Sequence, residues 1–183
     1  MKVHPLADSF PLLSQEEFQL LVNDISVNGL INPIVLDAQG QLIDGRNRLL
    51  ACEKAQVEPR FITVDQDPIS YILSANVTRR HLSKGQQAMA VAMAYPDGGA
   101  ISAGRGNKKQ KLNFCFSGTY ITQARYVLRY TPDLATQVMN GGSLNEAYDI
   151  AQKQQQQREK ERRQFEELRT SYPDFASQNE KLW

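Results

Sequence analysis

Gln41-Leu42-Ile43-Asp44-Gly45-Arg46-Asn47-Arg48-Leu49-Leu50-Ala51-Cys52-Glu53 is the stretch from which the chain is best read. A short apolar strand hands over, through one glycine, to a helix that begins with two arginines. Backbone N–H groups at a helix start and the forked donors of arginine both suit phosphate oxygens. Gly45 lets the backbone approach a ligand closely. The same residues admit a second reading, in which Asp44 pairs with Arg46 or Arg48 as a structural salt bridge. The pentapeptide alone does not choose between the two.

A second basic cluster, Asn76-Val77-Thr78-Arg79-Arg80, follows one small domain later. Together Gly45, Arg46, Asn47, Arg48, Asn76, Arg79 and Arg80 make a candidate phosphate- or nucleotide-binding set. In it Asn76 is the candidate magnesium ligand, through its carbonyl, and Arg79 a bidentate phosphate fork. If the fold instead carries phosphotransfer or nuclease chemistry, which needs an acid or a metal near the phosphate, Asp44 is the only acid nearby.

Working outward, residues 1–70 alternate between helix and strand signals. Ser14-Gln15-Glu16-Glu17 is a capping box, after which Phe18, Leu21, Val22 and Ile25 recur at helical spacing until Gly29. Pro33 precedes the strand Ile34-Val35-Leu36, and Asp37-Ala38-Gln39-Gly40 reads as a turn into Leu42-Ile43. After the helix from Arg46 to Ala55, Pro59 leads into Phe61-Ile62-Thr63-Val64. This is a small α/β module, too short for a doubly wound sheet.

From Pro68 the strand signals stop, which makes the whole chain α+β. Pro68 suits the first turn of a helix reaching about Asn76, with Ile69, Ile72 and Leu73 on its apolar face. Ser83 caps a helix bearing Ala88, Val91, Ala92 and Tyr95, and Pro96-Asp97-Gly98-Gly99 closes it. A polar, lysine-rich stretch over 97–110 follows. Ser117 begins a helix to Tyr130 whose inward face is expected at Ile121, Ala124 and Leu128. Pro132 starts a short helix ended by Gly141-Gly142. Ser143-Leu144-Asn145-Glu146 is a second capping box, opening a long helix to about Arg169. That helix has no apolar residue from Lys153 to Arg163 and is expected to be solvated or to bind a partner protein over 143–169. The expected modules are therefore 1–70, 71–150 and a polar helix and tail over 151–183.

Charge is strongly segregated behind a formal net of +1 in 183 residues. Residues 1–70 carry a net of −5, residues 71–132 a net of +8 with Asp97 their only acid, and residues 133–183 a net of −2. A basic middle between acidic flanks is the footprint of a polyanion docking on one module. Within it, Leu112-Asn113-Phe114-Cys115-Phe116-Ser117 reads as the end of a short helix and a turn. Ser117 would then cap the second helix of a helix-turn-helix. That arrangement leaves Thr119, Tyr120, Thr122, Gln123, Tyr126 and Arg129 available to double-stranded DNA, with threonine and glutamine able to read base edges where the N-terminal part of the helix enters the major groove. Arg105, Lys108, Lys109, Lys111 and Arg125 would contact phosphates. An ordinary bundle helix with a basic face is the alternative.

In combination these motifs resemble the ParB/sulfiredoxin-fold superfamily over about residues 1–150. Asn28-Gly29-Leu30-Ile31-Asn32-Pro33-Ile34-Val35 resembles its first motif and Asp44-Gly45-Arg46-Asn47-Arg48-Leu49-Leu50-Ala51 its arginine box. Asn76-Val77-Thr78-Arg79-Arg80-His81-Leu82-Ser83 is similar to the box that joins the N-terminal domain to DNA-binding helices. The resemblance implies a nucleotide-responsive, homodimeric DNA-binding protein serving partition or transcription regulation on a plasmid, phage or chromosome. It implies that Gly45, Arg46, Asn47 and Arg48 cradle the triphosphate of CTP or another nucleoside triphosphate. Asn76 would help hold magnesium, and Arg79 would meet phosphate. Where the family's box has an acid this chain has Arg46, and Ala75 stands where an acid commonly precedes the asparagine. Both changes point to binding more than to hydrolysis. A nucleotide-hydrolysing or phosphotransfer enzyme, or a nuclease, on the same fold is the alternative.

Apolar residues make up 41% and charged residues 22%, as in globular proteins. No apolar run approaches the roughly 18 residues of a membrane span and no signal-peptide pattern is seen, so a cytoplasmic, nucleoid- or plasmid-associated location is expected. Cys52 and Cys115, with only His4 and His81, offer no zinc spacing and read as buried thiols.

Overall fold

A computed structural model describes residues 1–77, 82–97 and 118–171. Among these, eight helices and three strands follow in the order α1 (Pro5–Asp8), α2 (Gln15–Asn28), β1 (Ile34–Leu36), β2 (Leu42–Asp44), α3 (Arg46–Ala55), β3 (Phe61–Thr63), α4 (Pro68–Val77), α5 (Lys84–Ala94), α6 (Gly118–Tyr130), α7 (Pro132–Met139) and α8 (Leu144–Ser171). The expected α+β class is what is seen.

The sheet runs β2-β1-β3, with β1 antiparallel to β2 and parallel to β3. Its hairpin is set by Asp37. This side chain is buried, and its Oδ1 accepts from the N–H groups of Gln39 (2.9 Å) and Gln41 (2.8 Å), while Gly40 takes φ 75°. An aspartate bonding its own turn in this way fixes where β2 begins. The parallel β1–β3 pair requires a crossover, and α3 supplies it.

Each face of the sheet has its cover. On one side α2 packs on α3 through Val22, Ile25, Ala51 and Cys52. Both ends of α2 match the sequence: Ser14 and Glu17 form the reciprocal capping box, and Gly29 ends the helix at φ 71°. On the other side Val35 and Ile43 meet Ile72, Leu73 and Val77 of α4. The buried cluster continues from there through Ala88–Ala92 of α5 to Ile121, Ala124 and Val127 of α6, and on to Ala147 and Ala151 of α8. The module boundary expected after residue 70 falls inside α4 (Pro68–Val77), and this cluster has members on both sides of it.

The inward face of α6 differs from the expected one in its last member. Val127 is fully buried, whereas Leu128 is half-buried. At 100° per residue Leu128 lies between Ile121 and Ala124 and Val127 about 60° beyond Ala124, so the buried stripe is wider than expected and extends past Ala124 to Val127. Ser83 caps α5 as the sequence suggests, and Gln86 completes a reciprocal box that the sequence reading did not include. The helix α8 spans 28 residues, about 42 Å at 1.5 Å per residue. Only its first turns, through Leu144, Ala147 and Ala151, are buried, and the stretch from Lys153 to Arg163 is largely exposed. No helix among the described residues is long and apolar enough to cross a membrane.

Candidate functional site

The strand-to-helix turn at Gly45 has the geometry its sequence implies. Gly45 sits at φ 100° as the N-cap of α3, with no side chain capping the helix. A Cβ there would meet Arg48 Nη2 at 3.1 Å and Ile34 Cα at 3.2 Å, so both conformation and space require glycine. Beside the turn lies a small cavity of about 20 Å³, room for about one water. Gly45, Asn47 and Asn76 line one side of it, with Ala7, Phe10 and Pro11 opposite. Of the sequence-derived set, Gly45, Arg46, Asn47 and Asn76 line this cavity, Arg48 does not, and Arg79 and Arg80 lie outside the described residues.

What holds those side chains is less expected. Arg48 Nη2 pairs with Asp44 Oδ2 at 3.0 Å, and Nη1 donates to the Asn32 carbonyl at 3.3 Å. One of the two sequence readings, the Asp44 salt bridge, is therefore formed. Arg46 turns the other way. Its Nη1 donates to the carbonyls of Ala7 (3.2 Å) and Asp8 (2.7 Å) and to Asp8 Oδ1 (2.7 Å), and its Nη2 to the Phe10 carbonyl (2.7 Å). Asn47 is buried and accepts from the Leu13 N–H at 3.2 Å. Asn76 is buried and donates through Nδ2 to the Ile72 carbonyl at 2.9 Å.

The N-terminal segment that meets Arg46 was not read from sequence as part of the site. Its helix α1 begins with Pro5 and is capped by His4 Nδ1, which accepts from the Leu6 N–H at 3.2 Å. Pro5 at a helix start was the legible signal. The Asp8–Arg46 pairing spans 38 residues and leaves no local pattern.

A magnesium site needs hard oxygen ligands, usually one or two carboxylates beside phosphate oxygens. Among the described residues no group of three or more His, Cys, Asp or Glu stands together. The nearest carboxylate to Asn76 in the cavity is Asp44, already paired with Arg48. This donor set does not fit a protein-built magnesium site, and no step is routed through a metal. The same pairing engages Asp44, the alternative catalytic acid.

The second candidate surface is α6. Thr119, Thr122 and Arg129 are exposed and Gln123 half-buried, on the side away from Ile121, Ala124 and Val127. The Thr122 hydroxyl donates to the Gly118 carbonyl at 3.2 Å. Three residues of the expected DNA set are engaged elsewhere. Tyr120 packs against the core. Tyr126 lies 4.6 Å from the Tyr130 ring and edge-on to Tyr148 of α8 at 5.2 Å. Burial, and after it Tyr130, Tyr148 and Glu159, raise its phenol above the usual 10.0. Arg125 Nε donates to the Tyr95 carbonyl at 3.1 Å, bracing α6 against the end of α5, and its Nη2 is buried with no partner among the described residues. Arg125 is thus an inter-helix brace. Arg79, Arg80, Arg105, Lys108, Lys109, Lys111, Ser117 and the turn over 112–116 lie outside the described residues.

A scan against protein-family models and a search of curated proteins each give no match. Among solved structures, the chain is similar to one described as the C2221 form of a Pnob8-like ParB-N domain. The two share 19% identity at a TM-score of 0.48, over 82% of this chain and 75% of the other.

Proposed function

We propose that this chain is a ParB-like protein that binds double-stranded DNA through α6, in partition or regulation, and responds to a nucleoside triphosphate at the Gly45 turn. One observation carries the DNA reading: α6 is fixed by Ile121, Ala124 and Val127 while Thr119, Thr122, Gln123 and Arg129 remain on its outer side. A helix seated on a rigid core, with short polar side chains near its N-terminus, suits base edges in a major groove. It also sits in the segment of net charge +8. Backbone neutralisation by that charge would supply most of the affinity, and the threonine–glutamine pair the discrimination.

The nucleotide reading rests on the convergence of Gly45, Asn47 and Asn76 on one cavity at a helix start free of a side-chain cap. CTP is the nucleotide that the motif resemblance suggests. With Asp44 tied to Arg48, binding suits this site better than hydrolysis.

The test is DNA binding by the full chain across a salt series, with and without a panel of nucleotides. Thr122→Ala/Gln123→Ala should lower affinity for a selected site about tenfold and leave affinity for random DNA nearly unchanged. Unaltered site affinity in that variant would remove α6 as the reading element.

A further inference from the structure

We infer that residues 4–13 form a built-in cover over the anion site, with the Asp8 carboxylate holding the position on Arg46 that an incoming phosphate oxygen would take. This rests on reading the Gly45 cavity as a phosphate site. The cover is attached to the first two residues of α3. Arg46 reaches Ala7, Asp8 and Phe10, and Asn47 receives the Leu13 N–H. With Ala7, Phe10 and Pro11 in place, the remaining cavity of about 20 Å³ takes a water and not a triphosphate.

The cover is held unevenly. Leu6 and Phe10 are 7% and 3% exposed and belong to the main core. The Asp8 side chain, between them, is 69% exposed, against 18% for that of Arg46. The ion pair is therefore the most loosely held of the cover's contacts, and its release is the first step in displacing the segment. An exposed ion pair is weakly held and screened by salt, so an anion with more charge than a carboxylate competes for the guanidinium. Exchange of carboxylate for phosphate keeps Arg46 matched throughout, which removes the cost of an unpaired cation. The segment then acts as an internal competitor, and its acid sets the threshold at which the site fills.

Calorimetric titration of inorganic tripolyphosphate, and separately of CTP, into full-length wild type, Asp8→Asn and Asp8→Glu tests this. Hydrogen exchange of the amides of residues 6–13 is followed in parallel. Asp8→Asn should bind about two- to fivefold more tightly than wild type, the range expected for releasing an exposed pair, while Asp8→Glu stays close to wild type. Ligand should speed exchange of those amides. Equal affinity in wild type and Asp8→Asn, with exchange unchanged, overturns the cover while leaving the phosphate site standing. No binding to any of the three proteins overturns the phosphate site and the cover together.

Discussion

At Gly45 a single missing methyl group decides the local path of the chain. The residue needs φ 100° and has Ile34 Cα at 3.2 Å from where a Cβ would stand. Gly45→Ala is expected to cost about 1–3 kcal/mol, read as a lower urea midpoint at unchanged slope. Cys52, fully buried between α2 and α3, gives a second residue-scale prediction. Burial raises its thiol above the usual 9.0, and Arg48 only partly opposes this. The folded thiol therefore keeps its proton where the unfolded one has lost it. Its contribution to stability is full below pH 9.0 and declines as pH rises above it. In a Cys115→Ser background, thiol reagents should label Cys52 slowly in the native protein at pH 8 and rapidly in denaturant. Equal rates would mean that the thiol is accessible.

At the scale of elements, α6 has three kinds of side chain within one helix: an apolar face, an Arg125 brace to Tyr95 and an outer polar side. Arg129→Ala should reduce the slope of log affinity for DNA against log salt by about one unit, without changing preference between sequences. Arg125→Ala should instead lower thermal stability, because it removes the link between α5 and α6. A stable Arg125→Ala protein with a reduced salt slope would return Arg125 to the phosphate contacts. Element boundaries were the most legible part of the sequence. The capping box at Ser14, the cap at Ser83, and the glycine and proline stops mark helices whose observed ends agree with them. The destinations of side chains were not legible. Arg125, Tyr120 and Tyr126 have the chemistry of DNA contacts, and only packing against α5 and α8 turns them inward. Likewise Arg46 has the chemistry of a phosphate ligand, and its partners lie 36 to 39 residues earlier in the chain.

At the scale of the molecule, one buried cluster runs from Leu6 and Ile43 to Ala151. Unfolding followed by far-UV circular dichroism and by a probe in the α2–α3 layer should therefore give coincident transitions. Two separated midpoints would show that the layers melt independently. The short helix α1 has a place in this arrangement beyond its four residues. It touches α5, and α5 is also the neighbour against which α6 rests. The segment over Arg46 and the helix proposed to read DNA thus both rest on the same helix. Through α5 a continuous run of packed side chains therefore joins the proposed anion site to the helix proposed to read DNA.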